Sequence, residues 1–388
     1  MTYVTPEVNR FQDRAGDGFL IRQTRPETPV YLRIYYWSDA AAKAMRDSGA
    51  THITISSEFS GDDRQLHALR DFASQIQYLE LGSKPKVDLA FVSELHGLRE
   101  LTLAQSADAI DFARLPLLKS CLFLKPASLG GLAQAPALER LQLWGIKLSG
   151  LSALSSLKTL RELVLREVVS LTSLDGIEAL RLERLELVYN RGLRSVANLN
   201  GSSSLVVLEI SGSSAADDFN EITDLPMLER LTVSSGPALR SFDAVGNFGN
   251  LRMLHLQNTN MRATSCSIAP LLKLRQLQAL SLHAGPSKGY GCITDIERLG
   301  EITSLESIYI DRGPKTSSLG FVRSLPQLRK LRLSRMEIED GDFSVLLQAP
   351  ALTDVEITPP RKHYRTNGVA AALNARKVAM NTHDQADA

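Results

Sequence analysis

Seven histidines and three cysteines are the residues of this 388-residue chain best suited to acid–base, nucleophilic or metal chemistry. His255 and His283 share the C-terminal half with Gln257, Tyr309, Asp311 and Arg332. An imidazole, a carboxylate and a phenol gathered on one surface can move protons, which keeps a hydrolase or transferase reading open. No nucleophile or oxyanion-stabilising group stands out beside them, and the same side chains equally make a polar contact surface. Cys266 and Cys292 lack the Cys-x-x-Cys or histidine spacing of zinc and redox sites. The stretch Gly285-Pro286-Ser287-Lys288-Gly289-Tyr290-Gly291 invites comparison with phosphate-binding loops, but the Gly-Lys-Ser/Thr spacing is missing. It reads as an extended turn or a protruding contact loop.

Whether these residues meet depends on the elements that carry them. The hexad Leu98-Arg99-Glu100-Leu101-Thr102-Leu103 recurs as Leu138-Glu139-Arg140-Leu141-Gln142-Leu143 and as Leu160-Arg161-Glu162-Leu163-Val164-Leu165. Hexads open at Pro29, Ala50, Ile76, Leu98, Leu118, Leu138, Leu160, Leu182, Leu205, Leu228, Leu251, Leu277, Leu305, Leu328 and Leu352, at steps of 20 to 28 residues, most of them 20 to 23. The fourth and sixth places are apolar and the fifth is usually polar, the period-two signature of a strand with one buried face. Cys121 occupies a fourth place and reads as a core thiol. A second apolar set spaced by three, as in Leu148-Leu151-Leu154-Leu157, suits a short 3₁₀-like return. One such unit cannot bury its leucines; stacked copies can.

The repeated hexad resembles the leucine-rich repeat family, in its short-repeat subclass, over about residues 29–358. The resemblance implies an α/β leucine-rich repeat solenoid, a curved horseshoe or arc. About 15 parallel strands would line its concave face, with short helices, 3₁₀ turns and loops on the convex face. The family's asparagine at the ninth place is present only as Asn190; Pro126, Ile146, Val168 and Met336 are among its replacements. The loops after the strands are therefore expected to be irregular. Residues 1–28 should form an N-terminal cap hairpin, with Phe19–Arg22 pairing antiparallel to Val30–Arg33. Ser38 should cap a helix to about Asp47, ended by Gly49, and 62–72 should be a second helix. Residues 359–388 should form a C-terminal cap helix from Asn367 to about Met380, and a frayed tail.

Apolar residues make up 44%, charged residues 22%, and the net charge is +1. That balance gives no case for broad nucleic-acid or membrane attraction, and no apolar run nears the roughly 20 residues of a membrane helix. The start lacks a basic region followed by an apolar stretch, and the cysteines are not clustered at the ends. A cytoplasmic monomer without cofactor or metal is the expectation.

The third, fifth and seventh places of each repeat should face the concave side. There Leu122, Leu124, Trp144, Val164, Arg166 and Val188, with neighbouring Tyr189, break the polar pattern with large apolar residues ringed by charge, the composition of a partner-binding patch. The His255–Arg332 group is a second candidate. A third, Tyr31, Tyr35, Tyr36, Trp37 and Tyr78, would also serve as aromatic cover for the N-terminal edge. The expected function is non-enzymatic binding of a partner protein through the concave face. An immunity- or inhibitor-type protein that neutralises a toxin or effector is one alternative, and a His255/His283 hydrolase or transferase the other.

Overall fold

Strands form at every hexad because a parallel neighbour supplies both backbone partners and apolar cover. In the computed structural model, the described residues are 14–384 apart from 24, 26, 84–85, 213–220, 236–239, 260–262, 285–288, 360 and 366–367. They divide into two compact units, residues 1–168 and 169–388.

The first unit contains β1 (Arg14–Gly16), β2 (Phe19–Arg22), β3 (Tyr31–Ile34), β4 (His52–Ile55), β5 (Tyr78–Leu81), β6 (Glu100–Leu103), β7 (Ser120–Leu124), β8 (Arg140–Trp144) and β9 (Glu162–Arg166). From β3 onward each strand pairs in parallel with the next. Phe19 pairs with Ile34 and Arg22 with Tyr31, antiparallel, so β2 covers the edge of β3. An additional antiparallel strand, β1, pairs with β2. Helix α1 (Asp39–Ser48) begins where Ser38 Oγ accepts the Ala41 N–H and ends at Gly49, whose φ of 62° needs no side chain. Asp62 caps a 3₁₀ helix, Asp63–Phe72, through the Arg64 N–H.

The second unit contains β10 (Arg184–Val188), β11 (Val207–Ser211), β12 (Arg230–Ser234), β13 (Met253–Thr259), β14 (Ala279–Ala284), β15 (Ser307–Asp311), β16 (Lys330–Ser334) and β17 (Asp354–Thr358), paired in parallel and in chain order. It ends in α2 (Val369–Asp384), which runs past Met380; Asn367 lies outside the described residues.

Burial follows the hexad. Leu141, Leu143, Leu163, Leu165, Leu185 and Leu187 are fully buried, and so are Cys121 and Phe123. Their strand neighbours stand on the open face of the sheet. The opposite side is built from short 3₁₀ turns, such as Ser152–Leu154 and Ile177–Ala179, that supply the second apolar set. The described end of the glycine-rich stretch, Gly289–Gly291, turns inward: Tyr290 is fully buried and its N–H donates to Arg312 O at 2.9 Å. Residues 285–288 lie outside the described residues.

Among the described residues the turn leaving the strand is regular after β7 to β12, β15 and β16, contrary to expectation. The residue directly following the strand, at the eighth place, adopts a left-handed backbone at Lys125, Gly145, Glu167, Tyr189, Gly212, Ser235, Arg312 and Arg335. In the first unit, Lys125 N–H donates to Trp144 O at 2.7 Å and Gly145 N–H to Arg166 O at 2.8 Å. In the second, Tyr189 donates to Ser211 O, Gly212 to Ser234 O and Ser235 to Gln257 O, each at 2.7 Å. Left-handed geometry costs a non-glycine residue about 1–2 kcal/mol; satisfying two backbone groups between repeats offsets it. The ninth place is free to be apolar, and Ile146, Val168 and Met336 are buried there. Asn190, the one asparagine at that place, is buried too. Hydroxyls just ahead of the hexad add a second tie, from Thr159 to Leu138 O, Ser204 to Leu182 O and Ser304 to Leu277 O, at 2.8–2.9 Å.

Backbone carbonyls just ahead of β17 are satisfied by the helix that follows it. Arg376 of α2 donates to the carbonyls of Ala349 (2.6 Å), Leu352 (3.0 Å) and Leu347 (3.0 Å). Arg376→Ala should lower unfolding stability by about 1.5–3 kcal/mol, the range for hydrogen bonds to a charged donor. Urea denaturation checks this; an unchanged midpoint would mean the last repeat closes without α2.

Candidate functional site

Strand parity places the outward residues of the first unit in three rows. Leu124, Trp144 and Arg166 are register partners along the seventh place; Leu122, Gln142 and Val164 form the fifth-place row, and Ser120, Arg140 and Glu162 the third. Leu122, Leu124, Trp144, Val164 and Arg166 are all half-buried on the open face. The Arg166 guanidinium carbon lies 4.8 Å from the centre of the Trp144 ring, a cation–π stack. Trp144 Nε1 and Arg166 Nε are sealed from water without a hydrogen-bond partner. The aliphatic stem of Lys125 runs over Gly145, where a Cβ would lie 2.8 Å from Lys125 Cγ.

Val188 and Tyr189 belong to the second unit and differ from one another. Val188 is buried, contrary to the outward place expected for it. Tyr189 is 46% exposed because its left-handed backbone swings the side chain out, over Gly212; a Cβ there would lie 2.2 Å from the ring.

The C-terminal candidate is a stack of rings. His255 and His283 are 5.3 Å apart and inclined by 16°; His283 and Tyr309 are 3.8 Å apart and inclined by 19°. The other expected members go elsewhere. Asp311 is buried and held bidentately by Arg335, with one bond of 2.8 Å. Arg332 turns to Asp354 and Glu356 at 3.5 and 3.6 Å. Gln257 stays exposed, 3.4 Å from Ser234 Oγ. Arg335 escaped the sequence reading because it lies at the eighth place, outside the strand alternation. Burial lowers the pKa of His255; burial and then the neighbouring His255 lower that of His283, against a smaller opposing pull from Asp311. Burial raises that of Tyr309.

A second histidine–tyrosine group stands at the N-terminal end, with His52 stacked on Tyr78 and tilted against Tyr31. His52 lies between Tyr31 (4.7 Å) and Tyr78 (5.4 Å), and burial lowers its pKa. The remaining aromatics of that group do not join it. Trp37 packs edge-on against Phe72 at 6.0 Å, Tyr36 bonds Asp17, and the Tyr35 N–H donates to Gly18 O.

Cys266 and Cys292 do meet across neighbouring repeats through a 2.9 Å bond from Cys266 N–H to Cys292 O. Both are free thiols. Burial, and then Cys292, push the Cys266 thiol up to about 11, so it stays protonated and poorly nucleophilic at neutral pH. Among the described residues no group of three or more His, Cys, Asp or Glu side chains could hold a metal, and no helix is long and apolar enough to cross a membrane.

The lowered histidines carry a pH dependence. Their folded pKa lies below the unfolded value of about 6.5, so the unfolded chain binds more protons as the pH falls. Their contribution is complete above about pH 6.5 and is lost as the pH drops through the folded values. The double variant His255→Gln/His283→Gln should show a shallower fall in urea midpoint than the parent between about pH 6.5 and 5. Parallel curves would contradict the burial of these imidazoles.

No protein-family profile matches the chain, and no curated protein shows significant similarity to it. Solved structures do match. An internalin from Listeria monocytogenes aligns with TM-score 0.52 at 19% identity, over 75% of this chain and 80% of that one. A leucine-rich repeat protein of Leptospira interrogans aligns with TM-score 0.53 at 19% identity, over 76% and 81%. TLR13, solved as a complex with an RNA, ssRNA13, aligns with TM-score 0.53 at 16% identity, over 79% of this chain and 46% of that one. Fifteen strands at the fifteen hexads, the 3₁₀ returns and these alignments together establish that this chain has the leucine-rich repeat fold.

Proposed function

We propose that this chain is a non-enzymatic interaction protein that binds a partner protein through the open face of its sheet, centred on Trp144. The observation that carries this is a half-buried tryptophan fixed by a cation–π stack amid Leu122, Leu124 and Val164, at places that strand parity keeps out of the core. A rigid aromatic anchor in a partly apolar setting, beside an arginine, is the composition of an interface hot spot. A one-residue slip that buried Trp144 would expose Leu141 and Leu143, so the ring has no route into the core.

The stacked imidazoles give less support to catalysis. Among the described residues neither His255 nor His283 hydrogen-bonds a hydroxyl or a carboxylate, and His255 Nε2 is buried without a partner. Nucleophile, base and orienting group do not line up. Asp311, the carboxylate that acts on His283, is buried and engaged by Arg335.

The test uses the tagged chain as bait in native lysate, with the captured partner then measured against variants. Trp144→Ala should weaken partner binding by at least about 2 kcal/mol, the usual hot-spot threshold, with little change in urea midpoint because no core cavity forms. Leu122→Asp should act the same way, and Lys158→Ala, on the side of the 3₁₀ turns, should leave binding unchanged. Full affinity in both Trp144→Ala and Leu122→Asp would rule the patch out.

A further inference from the structure

The arginines on the open face are not equivalent. Arg184 is held by Glu186, with a 2.6 Å bond from its Nε. Arg332 lies against Asp354 and Glu356, and Arg335 grips Asp311. Among the described residues Arg166, like Arg140, has no such carboxylate; what sets Arg166 apart is its stack on the Trp144 ring. Of its nitrogens only Nε is sealed without a partner, so the terminal nitrogens are the ones that face water. Glu162, one repeat along from Arg140 in the same row, makes no ion pair with it. The surrounding sequence is also biased. From Leu118 to Val168 the chain has seven lysines and arginines, three glutamates and no aspartate, against a whole-chain net charge of +1.

We propose that the segment seated on this patch is an acidic peptide stretch of the partner, one that sets a carboxylate on Arg166 and a large apolar side chain against Trp144 and Leu122. This rests on the reading given above and adds the chemistry of the occupant. An arginine already stacked on an aromatic face is pre-oriented, so little side-chain entropy is lost when a carboxylate bridges its terminal nitrogens. Held beside apolar surface, that bond is stronger than one made in open water. The row Leu124–Trp144–Arg166 sets its cation beside apolar side chains, which asks for an acidic group next to an apolar one along the occupant. A single-stranded nucleic acid fits less well. It would need a run of aromatic platforms and a continuous basic groove, whereas the patch has one tryptophan and aliphatic neighbours.

Displayed random short peptides, selected on the intact chain, test this directly, with a fluorescent single-stranded RNA as the competing probe. Enriched peptides should place Asp or Glu next to a large apolar residue. Trp144→Ala and Arg166→Gln should each weaken them by at least about tenfold, the first by loss of an apolar anchor and the second by loss of a hydrogen bond to a charged group. Selection on Arg166→Glu should replace the acidic residues by Lys or Arg. Peptides that need Trp144 but show no acidic bias, and no reversal on Arg166→Glu, would overturn the proposal and leave the Trp144 patch standing. Peptides indifferent to Trp144→Ala would overturn both. RNA binding that Trp144→Ala abolishes, or no enrichment of any peptide, would overturn the acidic-segment proposal.

Discussion

Register between neighbouring strands is the constraint from which the other features follow. Each repeat presents apolar fourth and sixth places that only the repeats beside it can cover, and pairing such as Leu141 with Leu163 keeps those columns aligned. The left-handed residue after the strand holds the alignment at its far end, because its N–H reaches the last strand carbonyl of the next repeat. Shifting one strand by a single residue would break that bond and turn both leucines outward. The ninth place then needs no polar side chain, and apolar residues such as Ile146 and Val168 fill it.

The same register arranges the open face. Side chains that are remote in sequence become neighbours in rows, and each row has its own chemistry. In the second unit rings stack on rings at His255, His283 and Tyr309, and Arg184 and Arg332 meet carboxylates. In the first, the row through Leu124, Trp144 and Arg166 combines apolar surface with a cation that has an aromatic face but, among the described residues, no counter-ion. Exposed ion pairs add little stability. Their presence or absence matters more for selecting a partner, because an unpaired charge favours one complementary group over others.

The strand positions were legible because the leucine places recur at nearly constant steps, and the alternation also identified which residues face outward. The antiparallel strand Arg14–Gly16 was not legible, since Arg-Ala-Gly carries no apolar alternation. Nor was the left-handed ladder: Lys125, Glu167, Tyr189 and Arg335 occupy places where glycine would have been the signal. That ladder hid two features of the candidate sites. It brings Arg335 onto Asp311, which removes the carboxylate from the histidine group. It also projects Tyr189 outward while Val188 beside it is buried. The Trp144 environment was legible down to its neighbours Leu124 and Arg166, because both follow from register alone.

Site-specific crosslinking inside cells tests the central claim most directly. A photoreactive amino acid at Gln142, in the row between Leu122 and Val164, would sit within the open face; the same group at Lys158 would sit on the side of the 3₁₀ turns. Binding through the open face predicts one discrete heavier adduct from position 142 and none from position 158. An adduct at 158 with none at 142 would contradict it.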